Sequence, residues 1–165
     1  MPYSLHLRIL NFDGRLIDVR TIDAILRSPY VPLPVLPNLR ELNIMHPSEA
    51  DALYALSIPR LFFHANLKIL RVYGVPSDSV FKNPAHYKFS NFVDDIIVCS
   101  ADLQCLEITH EGRVDLMIQA EFSKLIVRLS RGLPKLETIQ LTEALITPLV
   151  VSNLAPSLRL LRSIS

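Results

Sequence analysis

Apolar positions along this chain follow two rhythms. In LPNLRELNI (36–44), Leu39, Leu42 and Ile44 alternate with polar residues behind a proline. Side chains alternate sides along a strand, so this run reads as a short strand with one buried face. The frame recurs as HLRILNF (6–12), PNLRELNI (37–44), ANLKILRV (65–72), ADLQCLEI (101–108), PKLETIQL (134–141) and PSLRLLRSI (156–164). Leu-x-x-Leu-x-Leu alone says little in a leucine-rich chain, but polar residues flank the first leucine in every copy: His6/Arg8, Asn38/Arg40, Asn66/Lys68, Asp102/Gln104, Lys135/Glu137 and Ser157/Arg159. Pro or Ala stands two positions before it in the last five copies. The first leucines (Leu7, Leu39, Leu67, Leu103, Leu136, Leu158) lie roughly 22–36 residues apart, inside the range of roughly 20–50 expected of stacked repeats.

The second rhythm has helical spacing. Residues 18–28 carry Val19, Ile22, Ile25 and Leu26 on one face and end at Pro29. Residues 48–58 open with a capping Ser48 and stop at Pro59. Residues 90–100 bring Phe92, Val93, Ile96 and Ile97 together; residues 113–131 line up Val114, Met117, Ile118, Phe122, Leu125, Ile126 and Leu129 before a closing Gly132. In 143–154, Pro148 marks either a kink or a start with Thr147 as cap. The link 73–88, with two prolines, reads as a bulging loop.

Strand, turn, helix and turn thus repeat five times and begin a sixth. Strand–helix–strand crossovers make neighbouring strands parallel. No unit can bury its own apolar face, so stacking must build one continuous core. The expected fold is a single α/β solenoid domain over 1–165, of about five to six irregular units, with strands on a concave face and helices on a convex one.

Length and composition fit that picture, because 165 residues that are 50% hydrophobic suffice for one real core. Lys and Arg number 17 against 16 Asp and Glu, too slight an excess for a protein that neutralises many phosphates, so no nucleic-acid partner is expected. No apolar run approaches the ~20 residues of a membrane helix, and no membrane partner is expected. Cys99 and Cys105 suggest two buried thiols in a reducing compartment; with no signal-like N-terminus and no Asn-x-Ser/Thr sequon, the cytoplasm or nucleus is the default.

Catalytic signatures are lacking. Four glycines (Gly14, Gly74, Gly112, Gly132) form neither a P-loop nor a GxGxxG turn, and neither a G-x-S-x-G elbow nor H-E-x-x-H occurs. His46 and His110 share a repeat position but stand two strands apart, roughly 9–10 Å, too far to hold one metal; both read as surface or turn histidines. Asp94-Asp95 reads as a solvated helix surface. The expectation is a non-enzyme without cofactor or metal.

LPNLRELNI, NLKILRVYG, DLQCLEITH and LPKLETIQL resemble the leucine-rich-repeat family, and most closely the irregular repeats in the C-terminal part of fungal F-box proteins. In that family the F-box docks a Skp-type adaptor of a cullin–RING ubiquitin ligase and the repeats hold the substrate. The resemblance implies a protein-binding module, the substrate-recognition part of an F-box-like receptor. The chain has no helical segment opening on a Leu-Pro-x-Glu-like motif, so the adaptor is an expected partner only if an F-box is supplied elsewhere. The alternative is a shortened paralogue or a fragment of a longer chain, an interaction module without a ligase role.

The residues between the core leucines would project onto the concave sheet, with Asn11, Asn43, Arg71, Glu107 and Gln140 down the middle and Glu41, Met45, Tyr73 and Thr109 around them. Arg71 and Glu107 should be neighbours about 5 Å apart. Met45 and Tyr73 suit a contact surface. The face reads either as a protein-binding surface or as a solvated one with an internal salt bridge. On the first reading, Arg71→Glu with Tyr73→Ala should abolish binding and leave the melting temperature nearly unchanged.

Overall fold

A computed structural model describes residues 6–13, 19–30, 34–45, 61–76, 89–111, 116–154 and 160–164. The chain is α/β. Strands β1 (Ile9–Asp13), β2 (Glu41–Met45), β3 (Ile69–Pro76), β4 (Cys105–Glu111), β5 (Thr138–Thr142) and β6 (Leu160–Ile164) form one sheet. Every neighbouring pair is parallel, and the order in space is the order in sequence. Parallel neighbours need a crossover at each step. Helix α1 (Val19–Arg27) lies between β1 and β2, α2 (Phe89–Cys99) between β3 and β4, α3 (Leu116–Gly132) between β4 and β5, and α4 (Pro148–Leu154) between β5 and β6. The helix expected over 48–58 lies outside the described residues, as does the 77–88 part of the expected loop.

Alternation decides which side of the sheet is buried. Leu42 and Ile44, Leu70 and Val72, Leu106 and Ile108, Ile139 and Leu141 are fully buried. They share one cluster with Phe92, Val93 and Ile96 of α2, Phe122, Ile126 and Leu129 of α3, and Val150 and Leu154 of α4. The helices therefore cover one face, where each such side chain contributes about 1.5–3 kcal/mol by leaving water. Segment 61–63 completes this layer, with Phe63 stacked at a tilt on Phe92 (5.7 Å) and Phe62 near Phe12 (6.3 Å).

The chain enters β2, β3, β4 and β5 through the same turn. The carbonyls of Leu36, His64, Ser100 and Leu133 accept from the N–H groups of Leu39, Leu67, Leu103 and Leu136 at 3.0–3.1 Å. That turn buries the first leucine of these four frames, while Leu7 of the first frame stays exposed, and aims the next residues along the strand. Pairing starts one residue before each strand: the Arg8 carbonyl accepts from Arg40 and Glu41, that of Arg40 from Lys68 and Ile69, that of Lys68 from Gln104 and Cys105, and that of Gln104 from Glu137 and Thr138.

Several local expectations resolve or change. The helix near Pro148 starts there, and Thr147 caps it, its Oγ1 accepting from the Val150 N–H at 3.1 Å. Gly132 is the last residue of α3 and does not take the left-handed capping conformation; among the described glycines only Gly74 has a positive φ, 73°. What requires glycine at 132 is proximity, since a Cβ there would meet the Ile97 side chain at 2.8 Å. Strand β3 runs on through Pro76, so 73–76 is strand rather than loop. It carries an irregularity between Val72 and Val75, where the register shifts and His110 comes opposite Val75. His110 is accordingly a buried strand residue, not a surface or turn histidine. Hydroxyls secure this stretch: Thr109 Oγ1 accepts from the Gly74 N–H (3.0 Å) and Thr142 Oγ1 from the His110 N–H (2.9 Å).

At Gly74 any Cβ is strained, so Gly74→Ala should cost about 1–2 kcal/mol in denaturant unfolding. Thr109→Val, which leaves the buried Gly74 N–H without its acceptor, should cost a similar amount, about 1–3 kcal/mol.

Candidate functional site

The sheet's other face carries no helix among the described residues. Register sets its side chains in two ranks across the strands, Ile9, Glu41, Ile69, Cys105 and Thr138, then Asn11, Asn43, Arg71, Glu107 and Gln140. Arg71 is at the centre. Its Nε lies 3.1 Å from Glu107 Oε2 on the next strand, the pairing expected from parallel neighbours about 5 Å apart. Its Nη1 reaches back to Glu41 Oε1 and to Asn43 Oδ1 (3.1 Å). Glu41 stands opposite Ile69, two residues before Arg71, so this second pair runs diagonally and needs a long side chain.

Asn43 joins the network outward. Its Nδ2 donates to Glu41 Oε1 (3.0 Å) and to Asn11 Oδ1 (2.8 Å), while its oxygen accepts from Arg71. Both ends of the amide are thereby used, which is what allows Asn43 to be 9% exposed. Partial burial opposes the Arg71 cation, but the carboxylates of Glu41 and Glu107 outweigh it and hold the guanidinium above its usual range. Burial, then the charge of Glu107, pushes the Tyr73 phenol up, so it stays protonated beside that carboxylate.

Six of the nine residues expected on this face, Asn11, Glu41, Asn43, Arg71, Tyr73 and Glu107, thus form one polar network. Met45 stands exposed at the end of β2, and Gln140 lies half-buried in register with Glu107. Thr109 is half-buried and tied to the Gly74 backbone, which gives it a structural task. Exposed Ile9, at 52%, adds an apolar contact on the first strand. The network also changes what a mutation at its centre would do. Arg71→Glu would place a third carboxylate between Glu41 and Glu107, so loss of stability, not an unchanged melting temperature, is the outcome the geometry dictates.

Two features were not read as a site in the sequence. Arg8, Arg40 and Lys68 precede β1, β2 and β3 at one register position. With Ile9, Glu41 and Ile69 they line a cleft of about 510 Å³. Lys68 pairs with Asp102 (3.1 Å), which Lys135 shares (2.6 Å), and those two ammonium groups hold the Asp102 carboxyl below its usual range. The signal was visible as the polar flank of the first leucine. The second feature is His64, buried in the turn before β3, whose Nδ1 accepts from the Asn66 N–H at 3.1 Å. That bond requires a neutral ring protonated at Nε2. Desolvation depresses its basicity, and its buried Nε2 meets no hydrogen-bond partner among the described residues.

Among the described residues no group of three or more His, Cys, Asp or Glu is placed to hold a metal ion. None of the described helices is long and apolar enough to cross a membrane. No protein-family model, curated protein or solved structure matches this chain.

Arg71→Met would leave two partly buried carboxylates unpaired and should destabilise by about 2–3 kcal/mol, less than for a fully buried pair. Adding Glu41→Gln should recover part of that loss, read as non-additivity in a double-mutant cycle. For His64 the folded pKa lies below the unfolded value of 6.5. The unfolded chain then binds more protons on acidification, so this contribution is whole above pH 6.5 and is lost as pH falls through the depressed folded value. His64→Asn should flatten the acid limb of stability against pH relative to wild type.

Proposed function

We propose that this chain is a non-catalytic, leucine-rich-repeat-type solenoid that receives a protein partner on the open face of its sheet. The fold reading draws support from the sequential parallel sheet, the recurrent entry turn and the alignment of equivalent frame positions in register. The observation that carries the functional reading is the half-buried network around Arg71, with Ile9 and Met45 exposed on the same face. Such a network presents fixed donors and acceptors at little entropic cost, and apolar groups beside it supply area to bury.

The resemblance to fungal F-box proteins makes the partner a substrate destined for ubiquitin transfer, with an F-box supplied elsewhere. Equal access to the face in a module without a ligase role is the second reading. Co-expression of the full gene product with a Skp-type adaptor separates them: a stable complex supports the receptor, and its absence leaves the interaction module.

The face itself is tested by Ile9→Glu with Met45→Glu, both exposed and outside the Arg71 network. Cross-linking mass spectrometry on extracts of the native host should place wild-type cross-links around these positions, and the variant should lose them at an unchanged melting temperature. Cross-links confined to helices α2 and α3 would overturn the proposal.

A further inference from the structure

The cleft before β1, β2 and β3 adds a chemistry to the proposed face. Three cations, Arg8, Arg40 and Lys68, stand in a row on strands about 5 Å apart. The carboxylate in the same cleft, Glu41, is committed to Arg71 and Asn43. Lys68 and Lys135 divide a single carboxylate, Asp102, between them. Arg8 and Arg40 are exposed, and among the described residues neither pairs with a carboxylate; the Arg8 guanidinium meets only the Asn38 carbonyl, at 3.4 Å. A chain whose charges nearly cancel overall thus gathers a cationic surplus at one edge of its open face. Ile9 and Ile69, the first residues of β1 and β3, directly follow Arg8 and Lys68 and supply apolar wall.

We propose that this cleft takes an extended acidic segment of the protein partner, with carboxylates on Arg8 and Arg40 and an apolar side chain against Ile9 and Ile69. The inference rests on the reading of the open face as a protein-binding surface and names the chemistry that surface selects. Arginine's planar fork suits a carboxylate at two points. The cleft favours peptide over nucleic acid, since it holds no aromatic ring on which a base could stack.

The test is fluorescence anisotropy of the whole chain with a labelled peptide of alternating Asp and Leu. Its controls are a peptide of alternating Lys and Leu and a labelled single-stranded oligonucleotide. The Asp-Leu peptide alone should bind. Its affinity should fall about tenfold in Arg40→Glu and drop with added salt. Arg8→Gln, which removes a charge without reversing it, should give a smaller loss and guards against a folding defect in the first variant. Equal binding of the Lys-Leu peptide, tighter binding of the oligonucleotide, or unchanged affinity in both variants would overturn the proposal. No binding of the acidic peptide, with cross-links still lost in Ile9→Glu/Met45→Glu, would remove the acidic segment and keep the protein-binding face. Loss of neither would remove both.

Discussion

Parallel pairing in chain order is the constraint on which the rest of this structure depends. Each strand finds its partner one crossover away, and every pair but β3–β4, which shifts after Val72, holds one register position by position. Because the register does not slip across β1 to β3 up to Val72, a residue type recurring in the sequence becomes a rank of side chains in space. The buried leucines form the core for that reason, and the residues between them form a face for the same reason. The turn that precedes β2, β3, β4 and β5 maintains the phase, since a one-residue error there would turn the apolar set outward.

On that face Arg71 acts as a keystone with two carboxylates. One pair follows from neighbouring positions and the other from the diagonal reach of the side chain. Removing the cation does more than remove a contact surface, because it strands charges that are only partly solvated. Positions that carry structure and positions free to carry recognition are therefore separable here. Arg71, Asn43 and Thr109 are tied into the sheet by their bonds, whereas Ile9, Met45, Arg8 and Arg40 stand exposed.

Much of this was legible in the residues. The polar flanks of the first leucine and the alternation behind it located the strands, placed Arg71 beside Glu107, and put Asn11, Asn43 and Gln140 in one rank. Thr147-Pro148 contained its own cap and start. What could not be read depends on distances between elements. Gly132 ends its helix as expected, but without a left-handed cap; its close approach to Ile97 is what the sequence does not show. Gly74 marks a register shift that no single strand reveals, and that shift moves His110 against Val75 and into burial. The diagonal between Glu41 and Arg71 likewise needs the sheet to exist before it can be seen.

The strand order has a mechanical side. In a sheet whose neighbours in space are neighbours in sequence, tension applied to the two ends meets one strand pair at a time. No interior pair is loaded across its whole length at once, and among the described strands none far along the chain clasps the two edges together. Such an array should part by peeling, strand after strand from an edge, in small successive lengthenings rather than one brittle rupture. Resistance to pulling is then low even where resistance to heat is not, and a machine that threads chains from one end would meet this sheet as a series of light steps.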